Sequence, residues 1–309
     1  MNNVYVLTGS TGWVGRNFLH ELQKIYPQEI FNKKVYAFSS KGNNILSTAY
    51  PLNQQINIPI YPLPLIKEIV NQIENVCLIH TAFVTREKLN ILGLKKYIEI
   101  NQNITDTIID LIKNKNVTKS VVISSGAAEL FSKKNQENKK LEKDPYGFLK
   151  LEEEKKISAI SDSLILRIYG LTGPFIRDPN IFAFGNFIIS ALNKKKIILN
   201  SKREVIRSYG FAGDIAKVGI SWLNSNNISG EIINASTLKI NLKDLANRIS
   251  EIYSLPNYSS DINHDLDSDD YSCDLKKFKN LLSKFKFIEK DLDTQIISTY
   301  NYLKSNLNY

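Results

Sequence analysis

Three side chains in this sequence could move a proton and steady a developing anion together: Ser125, Tyr146 and Lys150. Tyr146 and Lys150 lie four apart in DPYGFLK (residues 144–150), the spacing that stacks two side chains on one face of a helix. An ammonium so placed favours the phenolate of a group whose ordinary pKa is ~10, which makes the phenol a usable proton donor and acceptor near neutrality. Spacing alone is weak, because among 15 tyrosines it occurs twice, the second time at Tyr300 and Lys304 in YNYLK. Context separates the two. About twenty residues before Tyr146, SSGAAE (124–129) follows the apolar run SVVIS, and open α/β sheets bind their ligands at the carboxyl ends of strands. Ser125 therefore falls where a nicotinamide ring would sit. No strand-end serine or glycine loop leads to Tyr300, which is expected in a surface helix.

A strand, a glycine loop and a helix must position a dinucleotide for this chemistry, and the amino-terminal segment offers all three. TGSTGWVG (8–15) directly follows VYVL (4–7) and opens a helical pattern. Glycines here allow a tight turn, a close backbone approach to a pyrophosphate and packing of helix on strand. Gly9, Ser10, Thr11, Gly12, Trp13, Val14 and Gly15 are thus candidate cofactor contacts. The second strand ends in AFSSKG, giving Ser39, Ser40 and Lys41 where an NAD-binding domain usually carries an acid for the adenosine ribose. Hydroxyls and an ammonium would accept a 2′-phosphate that a carboxylate would repel. NADP(H) is favoured on this ground and NAD(H) remains open, since Lys41 could equally be a solvated loop residue.

Around these motifs the first two-thirds of the chain alternates short apolar runs with amphipathic stretches, the pattern of βαβ units and a doubly wound parallel sheet of the Rossmann type. Strands are expected at 4–7, 34–38, 76–80, 120–124 and 163–168, and helices at 13–25, 66–73, 94–113 and 146–160. After Gly173-Pro174 the rhythm becomes mixed. The division expected is a dinucleotide-binding domain over 1–169 with a return segment near 206–234, and a smaller α/β substrate domain mainly over 170–309. At 309 residues and 43% hydrophobic content the chain can bury a proper core. No apolar run reaches the ~18 residues of a membrane span, and the first strand begins too early for a signal peptide, so a cytoplasmic protein is expected. The net charge of +9 is scattered rather than striped, which disfavours nucleic acid and suits a phosphate-bearing ligand. Cys77 and Cys273 have no paired spacing, so no metal or disulfide framework is expected. In DINHDLDSDD (261–270), Asp265, Asp267 and Asp269 match the first positions of a calcium loop, but Asp270 stands where Gly is required and Lys276 where Glu is required.

Taken together, TGSTGWVG, SSGAAE, YGFLK and LILRIYGLTGP resemble the extended short-chain dehydrogenase/reductase superfamily, specifically its NAD(P)-dependent nucleotide-sugar epimerase/dehydratase family. IHTAF (79–83), YIEIN (97–101) and REVIRSYGFAGDIA (203–216) extend the resemblance over nearly the whole chain. The resemblance implies hydride exchange between nicotinamide and a sugar carbon of a nucleotide-diphosphate sugar. Tyr146 would be the acid/base, Ser125 would bond the reacting oxygen, and Lys150 would hold the nicotinamide ribose. Thr81, Ala82, Phe83, Asn101 and Ser124 would line the cofactor. Gly126 would border the sugar, Arg207 would pair with the diphosphate, and Asn186 would be a phosphate or base contact unless it caps a helix start. A homodimer built from the helices near 94–113 and 146–160 is also implied.

Departures from the family pattern narrow the reaction. Dehydratases of this family carry an acidic pair directly after the catalytic Ser or Thr, and this chain has Gly126 and Ala127. A decarboxylase would need Glu at the second of these positions, and bifunctional epimerase-reductases need a nearby Cys and a His, for which His20, His80 and His264 are poorly placed. Two chemistries that need only Ser, Tyr and Lys remain: NADPH-dependent reduction of a 4-keto-6-deoxyhexose nucleotide, which the Ser39-Ser40-Lys41 strand end favours, and 4-epimerisation of a UDP-hexose with retained NAD. Gly170 stands where epimerases commonly have Asn. A non-catalytic dinucleotide sensor is the third class.

Overall fold

The computed structural model describes residues 3–49, 55–134, 140–263 and 266–306; His264 and Asp265 lie outside them. Runs of apolar, largely β-branched residues become strands and the stretches between them become helices. In chain order these are β1 (Val4–Thr8), α1 (Trp13–Ile25), α2 (Gln28–Lys34), β2 (Val35–Ser39), β3 (Asn43–Ala49), β4 (Gln55–Pro62), α3 (Ile66–Asn71), β5 (Val76–His80), α4 (Leu89–Leu92), α5 (Leu94–Ile112), β6 (Val117–Ser125), α6 (Gly126–Lys133), α7 (Pro145–Ser158) and β7 (Leu164–Ile168). Then follow β8 (Gly170–Thr172), α8 (Ala183–Leu192), β9 (Ile198–Leu199), β10 (Val205–Phe211), α9 (Ala212–Leu223), β11 (Ile232–Asn234), β12 (Leu238–Asn241), α10 (Leu242–Tyr253), β13 (Ser259–Ser260), β14 (Asp269–Tyr271), α11 (Lys276–Lys284) and α12 (Leu292–Asn306).

The main sheet has the order β11-β7-β6-β5-β1-β2-β4-β3. Its pairs β1/β2, β1/β5, β2/β4 and β5/β6 are parallel, the Rossmann-like arrangement expected from βαβ rhythm. Chain order reverses at β1, whose neighbours are β2 and β5, so the carboxyl end of β1 marks the topological switch where such sheets open a crevice. Both faces are covered, which is why the central strands are apolar without alternation. Val6, Leu78, Val122 and Ile165 pack against Ile108 and Leu111 of α5 and Ile157 of α7. On the other face, Val121 lies against Gly219 of α9, which also has no room for a side chain because Phe18 of α1 packs there. β4 alternates buried Ile56, Ile58 and Ile60 with exposed Asn57 and Pro59.

By contact density the chain forms two units. The first contains Met1–Thr48, Ile56–Arg167 and Ala216–Ile233; the second is chiefly Ile168–Ile215 and Asn234–Tyr309. The return of the chain to the first unit thus starts later than residue 206, because β10 is the centre of the second unit's own sheet, pairing β12, β14 and β8. Within the second unit Tyr300 stacks on Tyr253, with ring centroids 4.1 Å apart. Among the described residues no helix is long and apolar enough to cross a membrane.

Candidate active site

Sequence places Tyr146 and Lys150 one turn apart, and local rules fix where that turn begins. Asp144 caps α7 by accepting the Gly147 N–H at 3.0 Å, and Pro145 takes the first helical position, where its missing N–H costs nothing. Asp144 is itself held by Arg86 at 3.1 Å and Lys134 at 2.7 Å. Ser125 closes β6 and caps α6, its oxygen accepting the Ala127 N–H at 3.2 Å. Its hydroxyl lies near enough to the Tyr146 phenol to lower the phenol's pKa, and Lys150 bonds the β6 backbone two residues before Ser125, so Ser125, Tyr146 and Lys150 converge at one strand end. Burial pushes the phenol up; the Ser125 bond and the Arg86 guanidinium pull it back, while Glu87 and Glu153 add to the rise.

Lys150 is buried and its three N–H directions are all engaged. It donates to the Ile123 carbonyl at 2.9 Å and to Glu153 Oε2 at 2.8 Å, and its Nζ lies 3.8 Å from the centre of the Phe83 ring. Phe83 in turn meets Tyr146 edge to face at 5.7 Å. Asn101 grips the backbone that carries Phe83: its Oδ1 accepts from Val84 N at 2.8 Å and its Nδ2 donates to Val84 O at 3.2 Å.

The glycine loop fits a dinucleotide. Gly9 has φ +71° and a Cβ there would lie 2.6 Å from both Ala82 N and Thr81 Oγ1; one at Gly15 would strike the Gly9 carbonyl. The N-cap of α1 is Gly12, with no side-chain cap hydrogen bond, and a helix amino end is a favourable seat for an anion. Val14 follows in the first turn and Trp13 is half-buried. Ser10, by contrast, is wholly buried and its hydroxyl donates to the Phe38 carbonyl at 3.0 Å; it ties β1 to β2. Thr81 Oγ1 donates to Thr8 O at 2.8 Å, and Thr11 O accepts from Arg16 Nε at 3.1 Å. At the β2 end Ser39 is half-buried and Ser40 and Lys41 are exposed. The adjacent β4 ends in Pro62, which pairs Ser39 and is followed by Leu63, so that strand brings no carboxylate either.

Gly126 and Ala127 form the first turn of α6. The nearest acids beyond them are occupied. Arg167 holds Glu154 through Nε at 2.9 Å and Nη2 at 2.6 Å, and reaches Glu129 Oε2 at 3.2 Å; Ser124 donates to Glu154 at 2.6 Å. In the second unit, Arg207 is bonded by both oxygens of Asp269, at 2.7 and 3.2 Å. Asn186 sits on the exposed side of α8, whose N-cap is Phe182, so it does not cap the helix. Gly170 lacks a side chain for a steric reason: a Cβ there would be 2.6 Å from the Tyr209 ring.

Sequence spacing missed Arg86, whose guanidinium lies 5.4 Å from the Tyr146 ring centre. It also missed His80 and Glu153 behind Lys150, joined at 3.2 Å. The Lys150–Glu153 spacing of three was a signal for the second of these, but such pairs are usually solvated.

The model of the NAD dependent epimerase/dehydratase family matches residues 5–236. The chain belongs to that family. Its members are NAD-dependent enzymes acting on nucleotide sugars. No curated protein is matched. Among solved structures, the family fold is shared with UDP-glucuronic acid 4-epimerase from Bacillus cereus in complex with UDP-glucuronic acid and NAD (18% identity, 97% of this chain and 99% of that one, TM-score 0.70). It is shared likewise with UDP-glucose 4-epimerase from Thermotoga maritima with UDP-glucose (17%, 99% and 99%, 0.70). A third likeness is to UDP-N-acetylglucosamine 4-epimerase from Methanobrevibacter ruminantium (18%, 98% and 98%, 0.70). At these identities the likeness concerns the fold of the epimerase/dehydratase family, not the reaction.

Proposed function

We propose that this member of the family reduces a 4-keto-6-deoxyhexose carried on a nucleotide diphosphate, using NADPH. The observation that carries the oxidoreductase reading is the convergence of Ser125, Tyr146 and Lys150 at the end of β6, beside a glycine loop that fits a dinucleotide. The absence of a carboxylate at the ends of β2 and β4 supports the phosphorylated cofactor. When bound, the reduced nicotinamide supplies a hydride to the keto carbon. Ser125 donates a hydrogen bond to the carbonyl oxygen and polarises it. Tyr146 gives that oxygen its proton, so the ketone becomes an alcohol, and the phenol is then reprotonated from solvent. Lys150 holds the nicotinamide ribose and tunes Tyr146, exchanging one of its present contacts to do so. Arg207 takes the diphosphate bidentately in place of Asp269. Asn186 is the weakest of the assigned contacts.

A dehydratase is disfavoured because Gly126 and Ala127 supply no acid, and Glu129 and Glu154 are bound to Arg167. The 4-epimerase reading is kept because the similar structures include UDP-sugar 4-epimerases with NAD. Family resemblance also supports a homodimer packed through α5 and α7.

The test is direct. With a nucleotide-linked 4-keto-6-deoxyhexose, the nicotinamide absorbance of NADPH should fall in proportion to protein; no loss would overturn the reductase. Conversion of UDP-glucose to its C4 epimer without added cofactor would establish the epimerase instead. Dinucleotide binding with neither turnover would leave a sensor.

A further inference from the structure

A charged pair lies behind Tyr146, and its chemistry bears on which way the proton moves. Lys150 and Glu153 are one turn apart on α7, with 3% and 0% of their surface exposed. Glu153 Oε2 accepts from Lys150; its Oε1 accepts from Thr105 of α5 at 3.2 Å and from His80 of β5 at 3.2 Å. A carboxylate only accepts, so His80 Nε2 carries the hydrogen, and its Nδ1 shares a hydrogen bond with the Thr8 hydroxyl of β1 at 2.7 Å. One buried positive charge and one buried negative charge cancel, with every donor and acceptor of the pair satisfied.

An unopposed ammonium four residues from Tyr146 would draw the phenol towards phenolate. A carboxylate bonded to that ammonium returns the local charge to zero and removes most of the pull. We infer that Glu153 is a positioning residue which cancels the charge of Lys150, so that resting Tyr146 is the neutral phenol, the form that donates a proton to a ketone oxygen. The inference rests on the proposed role of Tyr146 as proton carrier and adds a direction to it.

The other groups facing Tyr146 do not undo this balance. Arg86 is paired with Asp144, Glu87 is exposed, Tyr97 from α5 is a buried neutral phenol, Ser125 from β6 is a hydroxyl and Phe83 is apolar. Burial together with Glu87 and Glu153 holds the Tyr146 phenol above its ordinary value. A reductase begins its cycle with that phenol; an epimerase must begin with a base that takes a proton from a hydroxyl.

Tyrosinate absorbance, recorded from neutral to alkaline pH on the full chain without substrate, tests the inference. Subtracting the titration of Tyr146→Phe from that of the wild type isolates the Tyr146 step from the other tyrosines. Glu153→Gln keeps the shape and removes the charge, and should lower the midpoint by about one pH unit or more. Thr105→Val removes a neutral donor to the same carboxylate and should leave the midpoint in place, as should Glu153→Asp, which restores the charge. In Glu153→Gln the alkaline limb of kcat/KM for keto-sugar reduction should fall at correspondingly lower pH, with KM for the nucleotide sugar unchanged. Equal midpoints in wild type and Glu153→Gln would overturn the inference, as would a Thr105→Val shift as large as that of Glu153→Gln. If Glu153→Gln does not fold by circular dichroism, the apolar double variant Lys150→Met/Glu153→Leu probes the same balance: removal of both charges should leave the midpoint in place, and a clear rise would refute cancellation. Undiminished reduction by Tyr146→Phe would instead overturn the role of Tyr146, a failure distinct from an unmoved titration.

Discussion

Acid should weaken this protein through Glu153, by an amount that its burial and partners define. Burial alone would raise the Glu153 carboxyl, but Lys150 and His80 outweigh it and hold the group at about 2, against 4.5 when solvated. A folded-state value below the unfolded one means stabilisation that is complete above about 4.5 and lost as pH falls through about 2. At about 1.4 kcal/mol per unit, the difference corresponds to about 3 kcal/mol at neutral pH, of which about 2 kcal/mol is gone by pH 3. Other carboxyls held low, such as Glu21 and Asp293, contribute their own acid dependence, so the comparison must be with Glu153→Gln. Urea unfolding read by tryptophan fluorescence suits this measurement, because both tryptophans, Trp13 and Trp222, belong to the first unit. Between pH 6 and pH 3 the wild type should lose about 2 kcal/mol more than Glu153→Gln, and the two curves should converge in acid. Parallel curves would show that the carboxylate is not held by a buried pair.

Two further outcomes follow from the same geometry. Tyr146→Phe should lower turnover by roughly 10²–10⁴-fold while dinucleotide affinity, measured by quenching of protein fluorescence, stays near that of the wild type, because the glycine loop is untouched. Ser39→Asp should shift the ratio of kcat/KM values from NADPH towards NADH by roughly tenfold or more, since a carboxylate at the β2 end repels a 2′-phosphate and accepts ribose hydroxyls; an unchanged ratio would remove the strand-end argument.

The parts of this fold that were plain in the sequence are those buried on both faces. VYVL, VCLIH and SVVIS are continuous apolar runs because helices cover each side of β1, β5 and β6, and they appear within a few residues of expectation. β3 and β4 were missed. Asn and Gln dilute those runs, and Pro59 argues against a strand even though Ile56, Ile58 and Ile60 alternate correctly. α6 was missed because GAAELFSK is short and begins with glycine. At the site, the residues that act through spacing within one element were legible, as with Tyr146 and Lys150. Those that act across elements were not: Glu153 meets His80 from 73 residues away. The run Glu152-Glu153-Glu154 shows why. Glu152 pairs with exposed Lys155, Glu153 faces Lys150 and Glu154 faces Arg167, and three consecutive glutamates in a lysine-rich helix look alike until the helix is docked.

Two features in separate elements support the proposed reduction, and they are physically independent. One concerns the far end of the cofactor: the β2 and β4 ends offer hydroxyls, an ammonium, a proline and a leucine, none of which repels a 2′-phosphate. The other concerns the proton: Glu153 is bonded to Lys150, and the proposed cancellation of charge would start Tyr146 as an acid. Neither depends on the other, since no residue is shared between them. An epimerase needs the reverse at both places, a tightly kept NAD and a phenolate at the start of the cycle.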